Sequence, residues 1–466
     1  MLTPLLDPLS DVPLYEQLYR HVKGEITAGR LCAGTRLPSK RALAAHLKVS
    51  VVTVEGAYGQ LLAEGYLRSE PKRGFFVQSV GAPAPAQAPP APCAQAREAP
   101  AAPLRYDFTT GGVDTGRFPF ATWARLMREV LTEQDSALLQ STHPQGAPRL
   151  RQAIAGYLHD FRGITAHPDQ VVVGAGSEYL TGLLFQLLGR DGGYAAEDPG
   201  YPKFHRILAH EGALVCPIPM DEGGLRVDAL RWSGARVAHV TASHHFPLGT
   251  VMPVGRRREL LSWAEEAPNR YIIEDDYDSE FHYAGKPTAC VQGLDPHERT
   301  IYIGTFTKSL FPGLRIGYML LPPALVEPMT VARTLLDGHS APVPQLTLAR
   351  FIEGGHFGAH VRAMRQLYGE RRDLLARLVR RHLGGYLQPR VPAGGMQMPC
   401  LLTRDIAEAR AVDAARRAGI DLLGLGGLYA GEADQAGFLM GFAAHAPDEL
   451  EAAVRGLASV LRSLER

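Results

Sequence analysis

The 466-residue sequence predicts an α/β protein in two parts: an N-terminal winged helix-turn-helix and a larger domain on a parallel-rich sheet, itself a large lobe plus a smaller α+β lobe. Three observations lead there. Residues 1–80 read as three helices and a hairpin. Residues 81–103 shift abruptly to Ala and Pro, with almost no charge. From about residue 104, apolar β-type runs alternate with amphipathic stretches, the pattern of strands covered by helices on both faces. A chain this long needs two or three cores.

The elements follow in order. Leu14, Leu18, Val22 and Ile26 repeat at helical spacing over residues 14–28, and Gly29 ends the run. Pro38 opens a second helix at 39–47, and Ser50 caps a third that Gly65 stops. Residues 66–69 and 75–77 pair as a hairpin around Pro71-Lys72-Arg73-Gly74. The Ala/Pro run cannot build a core and favours extended conformations; it reads as a linker reaching about 70 Å at roughly 3.1 Å per residue. Beyond it, strands are expected at 171–173, 237–241, 271–273, 301–303 and 316–321. Amphipathic segments lie near 177–189, 202–212 and 255–267. The small lobe, from about 370, has charge-rich helices at 371–382 and 405–418.

Composition sets bounds. Hydrophobic content of 45% and charge of 21% are ordinary for a globular protein. Residues 1–80 hold ten Lys/Arg against seven Asp/Glu, a net charge that permits DNA binding without demanding it. The five cysteines show no paired spacing for zinc or a disulfide framework. No apolar run approaches the roughly 20 residues that span a bilayer, and the N-terminus lacks the order of a signal peptide. A cytoplasmic protein with no membrane partner and no metal is expected.

The chemistry-bearing residues lie in the large domain. Lys308 follows the apolar run Ile301-Tyr302-Ile303 and stands 31 residues after Tyr277, in Glu274-Asp275-Asp276-Tyr277-Asp278. A lysine, an acid and a basic phosphate-sized pocket suit pyridoxal 5'-phosphate held as a Schiff base. Asp275 follows a strand, and ligands of open α/β sheets bind at the carboxyl ends of strands. Gly174-Ala175-Gly176-Ser177-Glu178 leads into a helix, whose first N–H groups can hold an anion. His244 and His245 are adjacent and do not converge on one ion, so a structural role is expected.

The run from Gly34 through Pro38-Ser39-Lys40-Arg41 to Ser50-Val51-Val52-Thr53-Val54 resembles the GntR group of bacterial repressors. That resemblance turns Ser50, Val51, Thr53 and Glu55 toward base edges. It sets Ser39, Lys40, Arg41 and the wing residues Lys72 and Arg73 near phosphates of a double-stranded operator. The family often has arginine where Val51 stands; guanine readout is lost there, while a valine can touch a thymine methyl.

Residues 107–460 resemble fold-type I aminotransferases, and the whole chain resembles the MocR-type subfamily of regulators. The resemblance implies Lys308 as the cofactor-bearing lysine, Arg315 on its phosphate, Asp275 on the pyridine nitrogen, Tyr277 on the 3-hydroxyl and Tyr201 stacked on the ring. Ser177 and Glu178 would give backbone donors, Thr305 and Thr307 hydroxyls, and His245 would lie nearby. Three departures stand out. Phe246 replaces the asparagine of the enzymes' Asn-Pro-Thr-Gly run. Gly427 falls where amino-acid-binding members carry arginine, with Lys203 a substitute anion partner. Ser141 falls where a cross-subunit tyrosine is expected.

The expected domains are therefore 1–80 (DNA binding), 81–103 (linker) and 104–466 (aminotransferase-like, effector-binding and dimerising). The expected function is a homodimeric transcription regulator sensing pyridoxal phosphate, and so vitamin B6 supply, or a small amine or amino acid. An aminotransferase with a DNA-binding appendage is the alternative.

Overall fold

The computed structural model describes residues 4, 6–8, 10–80, 105–109, 112–133, 136–283, 289–333 and 341–465. The chain divides into two compact units, residues 1–99 and 100–466. The linker expected at 81–103 lies outside the described residues.

The first unit runs α1 (Leu14–Thr27), β1 (Arg36–Leu37), α2 (Lys40–Leu47), α3 (Val51–Ala63), β2 (Leu67–Glu70) and β3 (Gly74–Val77). Leu18, Val22 and Ile26 of α1 meet Val54, Ala57, Tyr58 and Leu61 of α3 in one buried core. Ser39 caps α2 by accepting the Ala42 N–H, and Ser50 caps α3 by accepting the Thr53 N–H at 3.1 Å. The strands form an antiparallel sheet ordered β1-β3-β2. Phe75 of β3 meets Tyr58 of α3 edge-on, ring centres 5.0 Å apart, which pins the wing to the third helix. The two-residue β1 was not expected from sequence; it is too short to show alternation.

The second unit begins with β4 (Tyr106–Asp107), α4 (Phe120–Thr132) and α5 (Pro148–Arg162). Its large lobe continues with β5 (Val171–Gly174), α6 (Ser177–Leu188), β6 (Tyr194–Asp198), α7 (Pro202–His210), β7 (Val215–Asp221), β8 (Gly224–Leu225), α8 (Val227–Trp232), β9 (Val237–Val240), α9 (Val254–Glu265), β10 (Tyr271–Asp275), β11 (Thr300–Thr305) and β12 (Gly317–Leu320). The eight strands are ordered β5-β12-β11-β10-β9-β6-β7-β8. Strands β7, β6, β9, β10 and β11 run parallel, and β12 lies antiparallel between β11 and β5. Consequently β5, β6, β9, β10 and β11 share one carboxyl edge. Strands β5, β9 and β12 are buried along their whole length, as a sheet covered on both faces requires.

Then come α10 (Pro323–Arg333), α11 (Pro342–Glu353) and α12 (His356–Leu383). The small lobe has β13 (Leu387–Pro389), β14 (Gln397–Leu402), α13 (Glu408–Arg417), β15 (Ile420–Asp421), β16 (Leu423–Gly424), β17 (Gly437–Gly441) and α14 (Pro447–Leu464). Its antiparallel sheet is ordered β13-β14-β17-β16, and β15 pairs with β4. The α/β class and its two lobes are as the sequence predicts, with β6, β7 and β8 as added strands of the large sheet.

Candidate functional site

Five loops at the shared carboxyl edge converge on a cavity of about 290 Å³. The turn after β5 brings Gly176 and the N-terminus of α6; the loop after β6 brings Tyr201. The loop after β9 brings Thr241 and Phe246, the end of β10 brings Asp275 and Tyr277, and the loop after β11 brings Thr307 and Lys308. Gln397, at the start of β14, reaches in from the small lobe.

At one end lie the pieces of an anion cup. Gly176 (φ 104°) precedes α6, so the first N–H groups of that helix open into the cavity. A Cβ built on Gly317 would come 3.2 Å from the Gly176 Cα, so Gly317 has no room to spare. Thr305 Oγ1 donates to Thr307 Oγ1 at 2.9 Å and accepts the Thr307 N–H at 3.1 Å. Arg315 holds a left-handed backbone (φ 52°), an uncommon conformation for a non-glycine residue, beside Gly176.

At the other end Asp275 closes the floor. Its Oδ2 lies 3.6 Å from His239 Nε2, while its Oδ1 is buried and accepts no hydrogen bond among the described residues. An orphaned carboxylate oxygen at this depth is costly unless a ligand supplies a donor. Behind it, Glu197 accepts the Thr241 N–H at 3.0 Å and its hydroxyl at 2.6 Å. Burial, reinforced by Asp275, pushes the Glu197 carboxyl up to about 8. Glu197 is therefore neutral near pH 7.

Tyr277 points its hydroxyl 3.3 Å from His244 Nδ1, which also lies 3.1 Å from Asp278 Oδ2. Burial holds the phenol protonated, its titration far above the usual tyrosine range. Lys308 is pushed the opposite way: desolvation, and then Lys203, lower its pKa and favour the neutral, nucleophilic amine.

These residues fit pyridoxal phosphate. The cup offers helix N–H groups, two hydroxyls and a guanidinium to a phosphate; Asp275 Oδ1 awaits a ring N–H; Tyr277 can donate to a ring oxygen; Lys308 is a poised amine. Ser177, Glu178, Tyr201, Lys203, Asp275, Tyr277, Thr305, Thr307, Lys308 and Arg315 all line the cavity. His245 does not: it is buried behind the wall, 3.1 Å from the Pro199 carbonyl, and desolvation lowers it to about 3. Neutral His245 and neutral Glu197, 3.6 Å apart, are therefore no ion pair near pH 7.

Lys203 pairs with Glu178 at 2.6 Å across the mouth. Ser141 is exposed. Gly427 sits in a turn and is not among the lining residues. Its neighbour Leu428 joins Phe246, Leu425 and Leu439 in an apolar cluster against Tyr201 and Tyr277. Phe246 meets Tyr201 edge-on, ring centres 5.8 Å apart.

Sequence reasoning missed Thr241, Gln397 and the buried Glu197. No motif marks them; each is recruited by topology. Two further acids, in the segment after β10, are buried: Asp276 pairs with Arg162 at 2.8 Å, and Glu280 accepts the Tyr157 hydroxyl at 3.0 Å.

On the first unit, Val51 and Val52 open α3 and are exposed, as are Arg41, Lys72 and Arg73. Lys40 pairs with Glu55 at 2.6 Å, and Arg73 with Glu70 at 2.6 Å on the wing. Among the described residues no helix is long and apolar enough to cross a membrane.

A winged helix and an aminotransferase-type cavity in one chain define a helix-turn-helix regulator with an aminotransferase-like domain. Residues 107–429 match "Aminotransferase class I and II", and residues 14–77 match "Bacterial regulatory proteins, gntR family". The uncharacterized HTH-type regulator YdeL of Bacillus subtilis is 38% identical over 90% of this chain and 91% of its own length. The probable rhizopine catabolism regulatory protein MocR of Rhizobium meliloti is 35% identical, covering 99% and 96%. The pyridoxine biosynthesis regulator PdxR of Corynebacterium glutamicum is 30% identical, covering 96% and 95%. A multiple substrate aminotransferase of Thermococcus profundus shares the fold at a TM-score of 0.70 and 26% identity, over 77% of this chain and 91% of the other. The chain belongs to the MocR-type subfamily of gntR-family transcriptional regulators.

Proposed function

We propose that this regulator senses pyridoxal phosphate itself at the Lys308 cavity and reports its supply to DNA as a homodimer. The orphaned Asp275 Oδ1 carries the reading, since its residue lines the same cavity as Lys308. When bound, the cofactor would supply an electrophilic carbonyl and, with Asp275 holding its ring nitrogen protonated, an electron sink. Arg315, Thr305, Thr307 and the start of α6 hold the phosphate. Tyr277 orients the ring through its hydroxyl, and Lys308 offers the attachment point.

The lining cations support the choice of effector. Arg315 belongs to the phosphate cup, Lys308 to attachment, and Lys203 is engaged by Glu178. Among the described residues no further arginine lines the cavity to grip a carboxylate, so these residues give an α-amino acid no strong anchor. The similarity to a pyridoxine biosynthesis regulator supports the same choice.

DNA-binding anisotropy on an operator fragment tests it, comparing cofactor-free protein, cofactor-loaded protein, and loaded protein with GABA or taurine. A shift on loading alone supports the reading; a shift only with an amine moves the effector to that amine; none ends it. The intact Lys308, Asp275 and Tyr277 set also keeps transamination in view. Turnover with an amino donor and a keto acid, abolished in Lys308→Ala, would establish it.

A further inference from the structure

We infer that the recognition helix reads DNA through methyl groups: Val51 and Val52 form an apolar contact for the 5-methyl groups of thymines in the major groove. The inference rests on the DNA-binding reading of the first unit and names the sequence feature recognised. Val51 is 43% exposed and Val52 is 75% exposed, on the first turn of α3, where a recognition helix meets base edges. A β-branched side chain in a helix keeps essentially one rotamer, so these methyls are presented with little freedom to lose on binding.

The polar groups of the same turn are occupied within the fold. Ser50 Oγ accepts the Thr53 N–H at 3.1 Å and shares a hydrogen bond with Thr53 Oγ1 at 2.8 Å. Glu55 is tied to Lys40 at 2.6 Å, and Lys40 lies over the Phe75 ring. What the turn offers outward is hydrocarbon. Among base edges in the major groove, hydrocarbon is matched by the thymine methyl.

Val52 also walls an open groove with Leu14 and Tyr15 of α1, and the Tyr15 ring lies 3.5 Å from a Cβ built on Gly56. The apolar surface thus continues past the helix tip. The exposed Arg41, Lys72 and Arg73 of the same unit make a polyanion the fitting occupant.

The test uses the full-length protein and random double-stranded DNA libraries made with either thymine or uracil. Sequences enriched from the thymine library are resynthesised with uracil at each thymine in the protected footprint. Each lost methyl contact should weaken binding about fourfold, the worth of one buried methylene-sized group. Two contacts therefore give roughly tenfold or more. Val51→Ala/Val52→Ala, both exposed and so expected to fold, should bind thymine and uracil DNA nearly alike. Equal affinity of the native protein for both DNAs overturns the inference, as does a thymine preference that survives in the double variant. Failure to enrich any sequence from either library overturns instead the DNA-binding reading beneath it.

Discussion

Arg315 combines two properties that rarely coincide by accident: a guanidinium at the anion cup and a backbone φ of 52°. A left-handed non-glycine residue costs about 1–2 kcal/mol, and such strain gathers at functional sites. Arg315→Gly should therefore separate stability from binding. Cofactor-free stability should hold or rise by up to about 1 kcal/mol. Affinity for pyridoxal phosphate should fall about 10- to 100-fold with the lost charge-assisted hydrogen bonds. Thermal melts and a spectroscopic titration check both halves, and unchanged affinity would remove Arg315 from the cup.

Glu197 makes a pH prediction. Its folded value near 8 lies above the unfolded value, so the folded state holds an extra proton between about pH 5 and 8. Stability must fall as pH rises through that window, by a few kcal/mol at most for a gap of roughly three units. Glu280, pushed up to about 7 by burial, contributes in the same direction. The readout is thus the difference between native protein and Glu197→Gln from pH 6.5 to 8.5. The variant should lose less stability; equal slopes would refute the neutral carboxyl. Lys308, Asp275 and Arg315 were legible in sequence because each sits in a motif with its neighbours. Glu197 and Gln397 were not, because only packing shows which side of a loop or strand faces the cavity.

At the scale of elements, the caps and the period of buried residues carried the most information. Ser50 marked the start of α3; Pro38 marked that of α2 to within a residue, the cap being Ser39; and Leu18, Val22 and Ile26 marked the buried face of α1. Ser50→Ala should cost the first unit about 1 kcal/mol, read from its thermal or urea unfolding; no loss would mean the Thr53 N–H finds another partner. Strand β6 was missed because Tyr194-Ala195-Ala196-Glu197-Asp198 is poor in β-branched residues, and burial of its small side chains between β7 and β9 overrides propensity. Strand β7 carries Pro217 and Pro219, which read as breaks and are tolerated where only a two-residue β8 lies beyond.

At the scale of the molecule, a DNA reader and a cofactor cavity occupy separate compact units of one chain. Coupling between them requires a ligand that favours one of two states. The exposed Arg41 and Lys72 should act through phosphates. Alanine at either should lower the slope of log affinity against log salt by about one and weaken all sequences alike. A loss confined to one sequence would make that residue a base reader.

Everything at the cavity depends on Lys308 carrying the cofactor. The decisive measurement is the absorption spectrum of purified protein incubated with pyridoxal phosphate, followed by borohydride reduction and peptide mass spectrometry. A visible or near-ultraviolet band absent from Lys308→Ala, with a reduced adduct on the Lys308 peptide, is the predicted result. A colourless native protein, or an adduct that maps to another lysine, would contradict it.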